Sequence, residues 1–425
     1  MVSGIDPLTD MPNRSAFFDK LDDLVRHAES PFCLMYVDID GFKHLNDTMG
    51  HVKGDYLIQQ LGHRISSAVI NRQATVARIG GDEFAIIIDQ LYDTTEIIET
   101  ANYILHRVLE PIPMDGDHLE VTASIGIAIF PHDAYSVTDL VRYADMSLYE
   151  AKINGKNRYE FFNLQMSDNF QERRFIEQNL RYCLENEPET FHVYYQPKID
   201  ITEKRVVGME ALVRWYFNGE MIPPGKFIPV AEDSGMVDAI GQLVLRKACE
   251  FAKVLSGHGI DLKLAVNVAP QQFVHNSLER NVRDVLLETG ISPANLELEI
   301  TESSFMSNQH NAITVLRHLR KLGVTIAIDD FGTGWSSLAY LSEFPLDVLK
   351  IDKSFVDKVL SGNTKLVEAI ISIAKSLDLE MVAEGVETEA QIDFMRQHNV
   401  RIVQGYYFAR PMPADDFLEF VREFK

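Results

Sequence analysis

The feature that most constrains this chain is a run of strand-like segments spaced through its C-terminal half. They fall at 191–195, 206–213, 262–268, 296–300, 324–328, 348–351, 380–383 and 402–408, and helical stretches separate most of them. A strand needs a long crossover to reach a parallel neighbour, so this alternation predicts a parallel sheet covered by helices. Eight such units over about 250 residues predict a TIM-like (β/α)8 barrel. Polar residues recur near the C-terminal ends of these runs: Gln196, Glu210, Asn267, Glu299, Asp329, Asp330, Lys350, Glu384 and Gln404. A barrel gathers strand ends onto one face, so residues far apart in sequence converge there.

The N-terminal part reads as a separate α/β domain with a central mixed sheet. Helical patterns at about 14–28, 55–70 and 137–152 alternate with strand-like runs at 32–39, 76–79, 84–88 and 121–130, and 159–162 closes the domain. Between them, roughly 168–187, Ile176, Leu180 and Leu184 recur at helical spacing and give a linker helix one apolar stripe. That stripe packs on the next domain or on a second copy. The expected organisation is 1–163, a linker helix at 164–187, and a barrel at 188–425.

A formal charge of −23 repels polyanions at long range, which disfavours nucleic acid polymers and anionic lipid as partners. Any phosphate ligand must be held locally. Three isolated cysteines indicate neither a disulfide framework nor a zinc site, and no signal peptide is read. A cytoplasmic location is expected. The abrupt start, with Asp6-Pro7-Leu8-Thr9 almost at once, suggests the cytoplasmic portion of a larger sensor, with any membrane contact through a segment absent from this chain.

Gly80-Gly81-Asp82-Glu83-Phe84 joins two strand-like runs. Its glycines permit a tight hairpin, and Asp82 and Glu83 stand at the tip. Asp38 ends a neighbouring run, so carboxylates from adjacent strands form a hard-oxygen site suited to Mg²⁺ or Mn²⁺. By chance the pentapeptide arises in on the order of one such chain in several thousand. With it, residues 6–162 resemble a GGDEF-type diguanylate cyclase domain, through Asp6-Pro7-Leu8-Thr9, Pro12-Asn13-Arg14, the 38–43 run, Asn46-Asp47, Gly50-His51, Gly54-Asp55, Ala144-Asp145 and Ala151-Lys152. Asp10 stands where glycine is usual, and Thr75 stands where the product-inhibition site has an acid three residues after Arg72. The resemblance implies metal binding by Asp38, the Ile39 carbonyl and Asp82. It gives guanine recognition to Asn46 and Asp55, phosphate contacts to Lys43, Lys152 and Lys156, and metal binding or proton removal to Glu83. Two such domains would face each other with one GTP each.

Glu210-Ala211-Leu212 alone arises by chance in roughly one such chain in five. Its context is richer. In an extended segment Glu210 and Arg214 share a face, and Asp329-Asp330 precedes a glycine-containing loop. So many neighbouring carboxylates repel unless cations neutralise them. Residues from about 175 to 425 resemble an EAL-type cyclic-di-GMP phosphodiesterase, through Tyr195-Gln196-Pro197, the 210–215 run, Val266-Asn267-Val268, the 299–302 run, the 329–334 run, the 349–352 run, the 383–387 run and Gln404-Gly405. The resemblance implies two divalent ions held by Glu210, Asn267, Glu299, Asp329, Asp330 and Glu384. Lys350 would polarise the attacking water, Glu302 would anchor the loop after Asp330, and Gln196, Arg214 and Gln404 would position the substrate. Trp335 replaces a usual tyrosine.

The function these resemblances imply is hydrolysis of cyclic-di-GMP to linear pGpG. The first domain would bind GTP and either synthesise cyclic-di-GMP or activate the hydrolase. A homodimer through the EAL domain is expected. The alternative is a non-catalytic receptor that binds cyclic-di-GMP and signals to a protein partner; it predicts lost metal ligands, and the sequence keeps them all.

Overall fold

The computed structural model describes residues 4–27, 30–89, 94–114, 117–274, 277–301, 309–332 and 343–424. Contacts divide the chain into two compact units, Met1–Glu172 and Arg173–Lys425. The helix Leu164–Asn186 runs through that boundary.

In the first unit, β1 (Phe32–Ile39), β2 (Ala74–Gly80), β3 (Glu83–Ile88), β6 (Ala123–Phe130) and β7 (Tyr159–Phe161) form one sheet in the order β2-β3-β1-β6-β7. A small hairpin, β4 (Ile112–Met114) with β5 (Asp117–Leu119), stands apart from the expected elements. Every residue of β1 except Tyr36 is buried, because both faces of the sheet are covered. Cys33, Met35, Val37 and Ile39 pack with Leu57, Leu61 and Ile104 on one side, while Phe32 and Leu34 pack with Phe17, Leu21 and Leu140 on the other. That two-residue alternation is the pleat of a strand sandwiched between helix layers.

Gly126 in β6 marks where the helix Val137–Ile153 crosses the sheet. An added Cβ would collide with the Ala144 carbonyl oxygen and the Leu148 amide nitrogen, both backbone atoms that cannot swing aside. Gly126→Ala is therefore expected to destabilise this unit by about 1–3 kcal/mol. A lowered midpoint of its thermal transition checks this; an unchanged one would mean the helix shifts freely.

In the second unit the expected parallel barrel forms with one strand reversed. β8 (Phe191–Asp200) pairs antiparallel with β9 (Arg205–Phe217) on one side and with β16 (Ile402–Val403) on the other. The intervening β11 (Lys263–Val268), β12 (Leu296–Thr301), β13 (Thr325–Asp329), β14 (Val348–Ile351) and β15 (Glu380–Ala383) run parallel from β9 round to β16. A further strand, β10 (Glu220–Ile222), extends β9 as a hairpin. The reversal has a simple cause. Only residues 201–204 separate β8 from β9, too few for the crossover that parallel pairing needs. Asp200 closes this turn by accepting from the amides of Thr202 (2.8 Å) and Glu203 (2.9 Å).

Along the parallel strands, Leu296, Leu298, Ile300, Ile326, Ile328, Leu349 and Ile351 belong to the large outer core. The alternate positions face the barrel interior. Its floor is the apolar group Ala327, Val348, Val382 and Ile402. Higher up, the interior becomes charged. The run expected at 402–408 is a strand only at Ile402–Val403, and Gly405 then passes so close to the Val386 backbone that a Cβ has no room. Among the described residues, no helix is long and apolar enough to cross a membrane.

Candidate active site

The upper barrel interior holds two linked groups of polar side chains. β8 and β9 place Gln196 directly opposite Glu210. Glu210 accepts from Asn267 Nδ2 at 2.7 Å through Oε1 and from Gln404 Nε2 at 2.5 Å through Oε2. The Gln404 amide also donates to Gln196 Oε1 at 3.0 Å, while its own Oε1 is buried without a partner among the described residues. Gln196 thus joins the site from the middle of a reversed strand, not from a strand's C-terminal end as the sequence pattern predicted.

The second group centres on Lys350, which is wholly buried. Its ammonium lies 2.7 Å from Glu299 Oε2, 2.9 Å from Asp329 Oδ2 and 2.7 Å from Glu384 Oε1. Below it, Lys198 Nζ bridges Glu297 Oε1 (2.6 Å) and Glu299 Oε1 (2.8 Å). Asp330 follows Asp329 with φ 53°, in the left-handed region, and its amide donates to Asp329 Oδ1 at 2.8 Å. That turn brings ligand oxygens of Asp329, Asp330 and Glu384 within 4.8 Å of one another.

Charge is unevenly balanced here. Burial raises the pKa of Glu210, with neighbouring Glu299 adding to the shift, and pushes Glu384 up to about 8 despite Lys350. Burial acts the same way on Glu299, but Lys198 and Lys350 overcome it and hold that carboxyl down at about 2. Four carboxylates (Glu297, Glu299, Asp329, Glu384) meet two ammonium groups (Lys198, Lys350), and with buried Glu210 and the exposed Asp330 nearby the formal charge is −4.

Beside Asn267 a cavity of about 480 Å³ opens between β9, β11 and two helices, with walls that include Arg214, Ile228, Glu232 and Ile240. Arg214 lies over the Tyr194 ring at 5.4 Å, and the Tyr194 and Tyr216 hydroxyls are 2.8 Å apart. Glu302 and Trp335 lie outside the described residues. Lys198 and Glu297 were not singled out in the sequence. A signal for them exists: 296–301 alternates apolar and polar residues, so Glu297 shares the face of Glu299, as Lys198 shares that of Gln196.

In the first unit, β1 and β3 pair Asp38 with Glu83, and Gly81 takes φ 54° at the hairpin tip beside Asp82. Lys152 Nζ lies 2.7 Å from Asp38 Oδ2. Burial nonetheless pushes the Asp38 pKa up to about 6, with Asp82 and Glu83 opposing Lys152. Ile39 is buried. Asn46 packs against Gly54, where a Cβ would strike its Oδ1, and that oxygen has no hydrogen-bond partner among the described residues. Asp55 is the next residue and is exposed, as are Lys43 and Lys156. Arg78, absent from the expectations, donates to the Gly81 carbonyl (2.8 Å) and to Asp6 Oδ1 (3.2 Å), tying the tip to the start of the domain. Asp40, next to the expected ligands, is instead taken up by Thr122 and Ser124, each at 2.7 Å.

Comparison with known proteins assigns a family to each part of the chain. The family model for a diguanylate cyclase GGDEF domain matches residues 3–158, and that for an EAL domain matches 177–411. The bifunctional diguanylate cyclase/cyclic di-GMP phosphodiesterase MucR of Pseudomonas aeruginosa is 38% identical over 420 residues, covering 97% of this chain and 61% of that protein. This chain spans between 51% and 61% of the length of the first curated relatives it matches. The solved PaMucR phosphodiesterase in its c-di-GMP complex is 39% identical, covering 57% of this chain and 99% of that one at a TM-score of 0.54. The S helix-GGDEF-EAL structure of Vibrio cholerae LapD, bound to c-di-GMP, covers 95% of both chains at a TM-score of 0.59, and at 21% identity it speaks to fold alone. The chain belongs to the family of tandem GGDEF–EAL proteins.

Proposed function

We propose that the barrel unit hydrolyses cyclic-di-GMP to linear pGpG with two divalent cations, Mg²⁺ or Mn²⁺. The observation that carries this reading is the surplus of carboxylate in the upper barrel, where Glu210, Glu297, Glu299 and Asp329 are buried, Glu384 is half-buried and Asp330 is exposed. A formal −4 is the charge two divalent cations would neutralise, and carboxylate oxygens are the donors such hard ions prefer. Asp329, Asp330 and Glu384 would hold one ion, with Glu210, Asn267 and Glu299 completing the pair of sites. Bound there, the cations would supply neutralisation of the phosphate and a water acidified enough to attack. Lys350, whose ammonium lies among the same carboxylates, would hold that water once the cations take over its carboxylate partners. Water adds to phosphorus, the P–O3′ bond breaks, and the 3′-oxygen leaves with a proton. Arg214, Gln196 and Gln404 would position the dinucleotide, and the apolar cavity beside Asn267 offers a face for one guanine.

For the first unit, the same reading assigns GTP. Asn46 Oδ1, without a partner among the described residues, and Asp55, the residue after Gly54, suit the donor edge of guanine. Asp38, Asp82 and Glu83 suit a metal-bound triphosphate, with Lys152 released from Asp38 to a phosphate oxygen. The unit then makes cyclic-di-GMP in a head-to-head dimer, or activates the hydrolase when GTP binds.

The purified chain is expected to convert cyclic-di-GMP to pGpG in Mg²⁺ or Mn²⁺ and to lose all turnover in EDTA, with recovery on adding excess Mn²⁺. Chromatography of the products checks this. Tight binding of the dinucleotide without cleavage, whatever the cation, would favour the receptor reading. Incubation with GTP alone separates the two roles of the first unit: accumulating cyclic-di-GMP would sink the purely regulatory one.

A further inference from the structure

Glu299 is held from two sides. Lys350 meets its Oε2 at 2.7 Å and Lys198 meets its Oε1 at 2.8 Å. Lys198 is itself buried, at 4% exposure, and spends its remaining contact on Glu297, which is 2% exposed. The strand pleat sets this geometry. Only Leu298 separates Glu297 from Glu299 along β12, so the two share a face and Glu297 lies one interior layer deeper, toward the apolar floor. Lys198 reaches up from the reversed strand β8 and spans the two layers.

Neutralising Glu297 alone would need no contact with Glu299, and a buried carboxylate with a buried lysine could be replaced by two apolar side chains at little cost to stability. The bridge to Glu299 is what such a replacement would lose. We propose that Lys198 is a positioning residue for phosphodiester hydrolysis, fixing the Glu299 carboxylate so that its free lone pairs face the cation site. This rests on the hydrolase reading above. Lys198 touches no substrate; it acts through Glu299.

The test compares the full chain with Lys198→Met and with the double variant Lys198→Met/Glu297→Met. Mn²⁺ binding is read by calorimetry, cyclic-di-GMP turnover by kcat and KM, and folding by thermal denaturation. The single variant leaves Glu297 uncompensated and is expected to unfold at lower temperature. The double variant removes one charge of each sign and is expected to keep the wild-type thermal midpoint within a few degrees. It should still lose about 10–100-fold in Mn²⁺ affinity and in kcat, as outer-shell partners of metal ligands do, with KM for the dinucleotide within about threefold. A double variant with wild-type Mn²⁺ affinity and kcat overturns the role given to Lys198 and leaves the hydrolase reading standing. A double variant that no longer folds also overturns it, because the pair would then serve the core. Wild-type protein that binds no Mn²⁺ overturns both, before any variant is compared.

Discussion

Glu210→Ala is expected to cut cyclic-di-GMP hydrolysis by on the order of 10⁴-fold, the scale on which loss of a central catalytic group is felt. Affinity for the dinucleotide should stay within about tenfold, because Arg214, Gln196 and the cavity beside Asn267 remain. The fold should survive. Removing Glu210 leaves the Asn267 amide without its acceptor, at a cost of about 1–3 kcal/mol if it stays dry, while the Gln404 amide keeps Gln196. Against that, the change relieves a crowd of buried carboxylates of one negative charge. Calorimetry with cyclic-di-GMP in Mg²⁺ measures the binding directly, since an inactive variant does not consume its ligand. Mn²⁺ stoichiometry should fall from two to one. Hydrolysis at the wild-type rate would sink the assignment of this site.

The sequence showed the barrel through its spacing and the site through its motifs, and the reasons differ. Strand-like runs at the right intervals carry the architecture because each must bury an apolar face. Direction is another matter. The reversed strand β8 followed from the shortness of 201–204, a length constraint that the alternation of runs disguised. The run at 402–408 read as a strand because Tyr406, Tyr407 and Phe408 favour one, yet the chain turns after Val403 where Gly405 meets the Val386 backbone. Motif residues such as Glu210, Asp329 and Glu384 stood out because several carboxylates at strand ends have no apolar explanation. Lys198 and Glu297 did not, since each is a single charge in an otherwise ordinary strand; only the pleat, combined with the barrel, shows that both point inward. Asp40 shows the opposite lesson. It stands two residues after Asp38 in the same motif, but its carboxylate is taken up by the Thr122 and Ser124 hydroxyls at the start of the neighbouring strand, which nothing in the motif foretells.

Lys350→Met offers a test in which stability and activity part company. The side chain is fully buried, and its ammonium is shared by Glu299, Asp329 and Glu384. Methionine nearly preserves the volume and removes the charge, so packing is not the variable. Without cations the variant leaves three carboxylates facing one another across a dry interior, and the barrel should lose about 3–5 kcal/mol, the usual cost of breaking a buried pair from one side. Millimolar Mn²⁺ should return most of that loss, because the ions bind the folded site and not the unfolded chain. Hydrolysis should not return with it. The charge is restored, but the donor beside the attacking water is not, and kcat is expected to remain down by about 10²–10³-fold. Thermal denaturation with and without Mn²⁺, set beside kcat at saturating Mn²⁺, reads both quantities on one protein. If Mn²⁺ restores stability and full turnover together, Lys350 is a counter-charge only, and the water-holding role proposed for it is wrong.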